Sequence, residues 1–111
     1  MKKNDHVYLL HILEAIDQIH EYTLGLDYDA FLKSRLIQDG VIRQLEIIGE
    51  ATKNLSQETR DKAPQIPWKD MAGLRDVLIH QYFGVDLVAV WTTLEQDLPL
   101  LEQEIRGLPQ K

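Results

Sequence analysis

Leu87, Val90, Trp91, Leu94, Leu98, Leu101 and Ile105 recur at intervals of three or four residues. Only a helix brings residues so spaced onto one face. Two earlier stretches obey the same rule. Leu9, Ile12, Leu13, Ile16 and Ile19 make one stripe, and Ile37, Val41, Leu45, Ile48 and Leu55 make another. The alternating pattern that a half-buried strand needs is absent. A chain patterned this way can bury its apolar surface only by packing helix on helix.

Boundary residues divide the pattern into elements. The first helix is expected from about Asn4 or Asp5 to Tyr22, with Gly25 as its stop. "LDYDAFLKS" predicts a short helix capped by Asp27 or Asp29. A long helix should span roughly Ser34 to Leu55. Ser56 opens an S-x-x-T start, read as a short capped turn, and Pro64 and Pro67 bracket a break. The next helix is expected from Trp68 to about Tyr82, with Gly84 available as a left-handed cap. Asp86 is a good N-cap for the last helix. Pro99 lies inside that helix's seam and should kink it, because it removes a backbone donor and crowds the preceding turn. Gly107 to Pro109 ends the element. Trp68, Phe83 and Trp91 are read as core residues. Four substantial helices with short connections predict an all-α fold, an antiparallel up-and-down four-helix bundle with one or two short extra helices.

The totals agree with one domain over residues 1–111. A chain of this length, 44% hydrophobic, can form a core without a disulfide or metal. It has no cysteine, which excludes a thiolate metal site and fits a reducing, cytoplasmic setting. No apolar run reaches membrane-span length, and "MKKNDHVYLL" is not read as a signal peptide. The formal net charge of −6 argues against broad, non-specific nucleic-acid binding, which phosphate neutralisation dominates.

His6 and His11 are five apart, poor spacing for one helical face. Asp17 precedes His20 by three, a spacing that can share a ligand, but no complete ligand set surrounds any histidine, so no metal and no cofactor is expected. Phosphate-binding glycine loops and the serine-hydrolase elbow are absent. On the long helix, Asp39, Arg43, Glu46, Glu50 and Lys53 form a charged face. It reads either as a self-paired solvated surface or, extended by Leu36 and Ile47, as a surface for a partner.

The costly residues lie in "LRDVLIHQYFGVD", Leu74 to Asp86. Arg75, His80 and Tyr82 stand among Leu74, Val77, Leu78, Ile79 and Phe83. An arginine shortly before a histidine is common by chance. Four intervening residues and a tyrosine two past the histidine are expected in only about one such chain in a hundred. On an ideal helix Arg75, Ile79 and Tyr82 share a face while His80 points elsewhere. Asp76, four residues before His80, could hold the imidazole. Arg75 and His80 converge only if the helix loosens or if a second copy supplies the missing half. The bland reading is an Arg75 ion pair with His80 stabilised at a helix C-terminus.

"LRDVLIHQYFGVDLVAVWTTLEQDLP" and "QDGVIRQLEIIGEATKNLS" closely resemble the HepT-like branch of the HEPN superfamily. The family's R-x-x-x-x-H-x-Y motif falls on Arg75, His80 and Tyr82. Many relatives have Asn where this sequence has Asp76. The resemblance implies a helical bundle that forms a homodimer, with two motifs facing one cleft. It implies a metal-independent endoribonuclease toxin of a type VII toxin–antitoxin system, with RNA as substrate and an MntA-like minimal nucleotidyltransferase as antitoxin. In the family that antitoxin adenylylates the motif tyrosine, here Tyr82. Arg75 and His80 would be catalytic, with Asp76, Asp39, Arg43, Glu46 and Glu50 supporting. The alternatives are a non-catalytic module that binds a nucleotide or a nucleotidyltransferase, and a structural helical dimer without a site.

Overall fold

A computed structural model describes residues 3–80 and 84–108 of the chain. The described residues are helical, in the order α1 (Lys3–Thr23), α2 (Tyr28–Leu32), α3 (Arg35–Lys53), α4 (Gln57–Asp61), α5 (Trp68–His80), α6 (Leu87–Thr92), a π-helical turn (Thr93–Asp97) and α7 (Leu98–Arg106). Side chains set the starts. Asp27 accepts from Ala30 N at 2.9 Å, Ser34 from Ile37 N at 3.2 Å, Ser56 from Thr59 N at 3.3 Å and Asp86 from Ala89 N at 3.1 Å. Each satisfies a backbone donor that the helix itself cannot, worth about 1 kcal/mol apiece. Gly25 ends the α1 region with φ +74°, a conformation that favours glycine.

The α3 helix lies between α1 and α5, and α7 packs on α1. Val41, Leu45 and Ile48 of α3 are fully buried, as are Ile12 and Ile16 of α1, Phe31 of α2 and Ile105 of α7. Trp68 is buried and its indole N–H donates to Ala63 O at 2.9 Å and Arg60 O at 3.0 Å, closing the α4–α5 connection. Trp91 is partly buried, 5.1 Å from Phe31 and 6.0 Å from Tyr28 between ring centroids. Phe83, the expected end of α5 near Tyr82, and Pro109 lie outside the described residues.

Pro99 acts differently from a simple kink. In a regular helix its ring would press on the carbonyl four residues back. The chain instead widens one turn earlier, where Leu98 N–H bonds to Thr93 O in the i→i−5 pattern. Backbone angles stay helical on both sides, with Thr93 at φ −59°, ψ −43° and Leu98 at φ −65°, ψ −40°.

Two buried polar side chains join elements. Gln38 Nε2 donates to Phe31 O at 2.9 Å and Leu32 O at 3.1 Å, capping the end of α2 from within α3. Asp5 sits inside the first turn of α1 and is 2% exposed. Its carboxylate accepts from Ser56 N at 2.9 Å, Thr59 Oγ1 at 2.6 Å and Ser56 Oγ. Asp5→Ala leaves these buried donors without their acceptor, so it should cost about 3 kcal/mol. Urea unfolding should show the lowered midpoint, with Asp5→Asn falling between variant and native.

Candidate functional site

The inward stripe of α5 is Trp68, Met71, Leu74 and Leu78, against the core. It fixes where the motif can sit. Arg75 and His80 both belong to the regular α-helical part of α5, which runs unbroken to His80. Five residues of α-helix separate their positions by about 140° around the axis. The side chains of Arg75 and His80, and all of Tyr82, lie outside the described residues. Asp76 is exposed and its Oδ2 is 3.4 Å from Lys53 Nζ, tying α5 to the end of α3. Beside α5, a small, mostly apolar pocket of about 70 Å³ is lined by Leu74 and Leu78 together with Leu45, Val85, Ala89 and Val90.

The charged face of α3 divides. Asp39 pairs with Arg35 at 3.3 Å on an exposed surface. Arg43, Glu46 and Glu50 instead line a cleft of about 340 Å³ between α3 and α1. Tyr8 and His11, in edge-on contact at 6.2 Å, close its other wall. Arg43 Nη1 is 3.6 Å from Glu46 Oε1, and Ile47 and Ala51 complete the lining with Asn54. Further along, His11, Glu14, Gln18, Gln44 and Ile47 line a second cleft of about 350 Å³. Tyr22 closes against Gly40, where a Cβ would stand 3.0 Å from Tyr22 Cε2. Leu36 is 84% exposed. Two carboxylates against one guanidinium make the first cleft a poor phosphate cradle and a fair polar docking surface.

Sequence spacing missed one convergence. Glu102 of α7 joins Asp17 and His20 of α1, with His20 Nε2 3.9 Å from Glu102 Oε1. No local signal ties residues so far apart. Among the described residues, no helix is long and apolar enough to cross a membrane.

Asp97 has its carboxyl pushed above the ordinary range, first by burial and then by the negative charge of Asp70. Ionisation is therefore less favourable in the folded chain than in the unfolded one. The folded state binds the proton more tightly, so stability from this group falls as pH rises through the raised value. Asp97→Asn should raise the melting temperature at pH 7. The advantage over the native chain should shrink as pH falls below the ordinary carboxylate range, which paired melting curves across pH will test.

The all-helical architecture and the arginine–histidine helix narrow the class, and comparison with known proteins names it. Residues 12–108 match the family model described as "Ribonuclease HepT-like". The chain belongs to that ribonuclease family. It is 51% identical to a Methanocaldococcus jannaschii protein named "Gamma-glutamylcyclotransferase and putative RNase", over 95% of this chain but 47% of that protein. The chain thus spans about half the length of that relative. Others match nearly end to end. A second protein of the same organism, named "Putative RNase", is 40% identical over 94% of this chain and 95% of its own. A "Probable ribonuclease HepT" from Thermococcus cleftensis is 44% identical over 97% and 98%. No solved structure gives a significant match.

Proposed function

We propose that the chain is a metal-independent endoribonuclease toxin that works as a symmetric homodimer. Arg75 and His80 are its catalytic residues, and its helices form a single antiparallel bundle in the cytoplasm. The observation that carries the reading is membership of a HepT-like ribonuclease family across residues 12–108, a span that includes the whole arginine–histidine–tyrosine motif. The regular backbone of α5 supports the dimer. With positions 75 and 80 about 140° apart, one chain cannot easily aim both at one atom, and two copies can.

The chemistry follows from the residue types. RNA supplies its own nucleophile, the ribose 2′-OH. A histidine takes that proton, and a second histidine across the dimer protonates the departing 5′-oxygen. Arginine, planar and always charged, stabilises the phosphate as its charge grows. Asp76 adds an acidic neighbour that tunes this pair, and Arg43, Glu46, Glu50 and Asp39 contribute a surface for a protein partner. That partner is an MntA-like nucleotidyltransferase antitoxin, which silences the toxin by adenylylating Tyr82. A bulky anionic group there would fill the cleft and repel RNA.

The net charge of −6 and the carboxylate-rich α1–α3 cleft favour one competing reading, a non-catalytic module that binds a nucleotidyltransferase or its nucleotide. One assay separates the two. In EDTA, purified protein should cleave RNA, and Arg75→Ala and His80→Ala should each slow cleavage by about a hundredfold or more. Intact RNA throughout favours the partner module. Equal cleavage by both variants means a contaminating nuclease. After co-expression with the neighbouring transferase, mass spectrometry should find one adenylyl group on Tyr82, and a label on another residue rejects that role.

A further inference from the structure

The convergence of α1 and α7 takes no part in the ribonuclease reading. Asp17 and His20 stand one turn apart on α1 and face Glu102 of α7. One ligand atom from each lies within 4.8 Å of the other two. The set combines an imidazole nitrogen with two carboxylates, drawn from helices at opposite ends of the chain. A cation already occupies the place. Arg106 Nη2 lies 3.0 Å from Glu102 Oε2 and 3.5 Å from Asp17 Oδ1.

We propose that Asp17, His20 and Glu102 bind one zinc ion, which displaces the Arg106 guanidinium and ties α1 to α7. Mixed nitrogen and oxygen donors suit Zn²⁺, and three protein ligands leave a fourth position for water. The present separations exceed those around an ion whose ligands sit at about 2.0–2.2 Å. Asp17, His20 and Arg106 are each more than half exposed, so their side chains have room to rotate as the ligands close in. Glu102, the most buried of the three, is the fixed point. Arg106 is a modest competitor, since exposed ion pairs contribute little. The ion bridges two helices and takes no step in RNA cleavage.

Zinc chloride titrated into the untagged, full-length chain tests this by calorimetry and thermal unfolding. One ion should bind per chain, and the melting temperature should rise with zinc, because the folded state alone presents the site. His20→Ala should weaken binding by roughly tenfold or more, and Arg106→Ala should strengthen it. Cobalt(II) in place of zinc should shift amide NMR signals most strongly around Asp17 and Glu102. Absence of saturable binding overturns the site. So does unchanged affinity in His20→Ala, which would place the ion on His6, His11 or elsewhere. An Arg106→Ala chain that binds no tighter overturns the displacement. None of these readouts depends on ribonuclease activity.

Discussion

The structure depends on α3 being covered on two sides. Val41, Leu45, Ile48 and Thr52 recur at helical intervals and are all fully buried. Their neighbours Ile37, Ile42 and Ile47 are partly buried around them. That arc is too wide for one partner helix, so α1 and α5 each take a flank. The outermost strip of α3 is what remains uncovered, and there the sequence places Leu36, Arg43 and Glu50. The charges on α3 are therefore set by packing before they are set by function.

Packing alone leaves helices free to slide, and buried polar groups fix their register. The Asp5 carboxylate holds the start of α4 from 51 and 54 residues away. Arg60 Nη2 donates to Thr52 O at 2.8 Å, placing a cation at the end of α3, where the helix dipole favours one. Gln38 seals α2. Each bond is modest in net terms, but an unsatisfied partner in the same place is costly. These contacts penalise slippage more than they add to stability.

Local chemistry explains which parts of this were legible in the sequence. The starts at Ser34, Ser56 and Asp86 were readable because a cap involves a side chain and a backbone only three residues apart. At α2 two aspartates were open, and Asp27 is the cap. Asp5 was read only as a helix start, since its partners lie in another element. Pro99 announced a distortion but not its form, because a kink and a wide turn answer the same clash. Leu55 continued the apolar stripe and is buried, yet the helix ends at Lys53, since burial does not require helical backbone. The α1–α7 cluster was half visible as Asp17 and His20, and Glu102 had no local signature at all.

The placement of Arg75 and His80 is the sharper case. Their identities were legible, and so was the difficulty that a regular helix points them apart. Two resolutions were open: a helix that loosens, or a second copy. The described backbone of α5 stays α-helical through His80, which removes loosening between the two positions. Leu74 and Leu78 explain why it stays so. Leu78 is buried in the core and Leu74 packs against it, and unwinding that stretch would expose both. The core that holds α5 regular thus keeps the backbone positions of Arg75 and His80 well apart around one helix axis, and that separation is the reason the proposed site calls for a second copy.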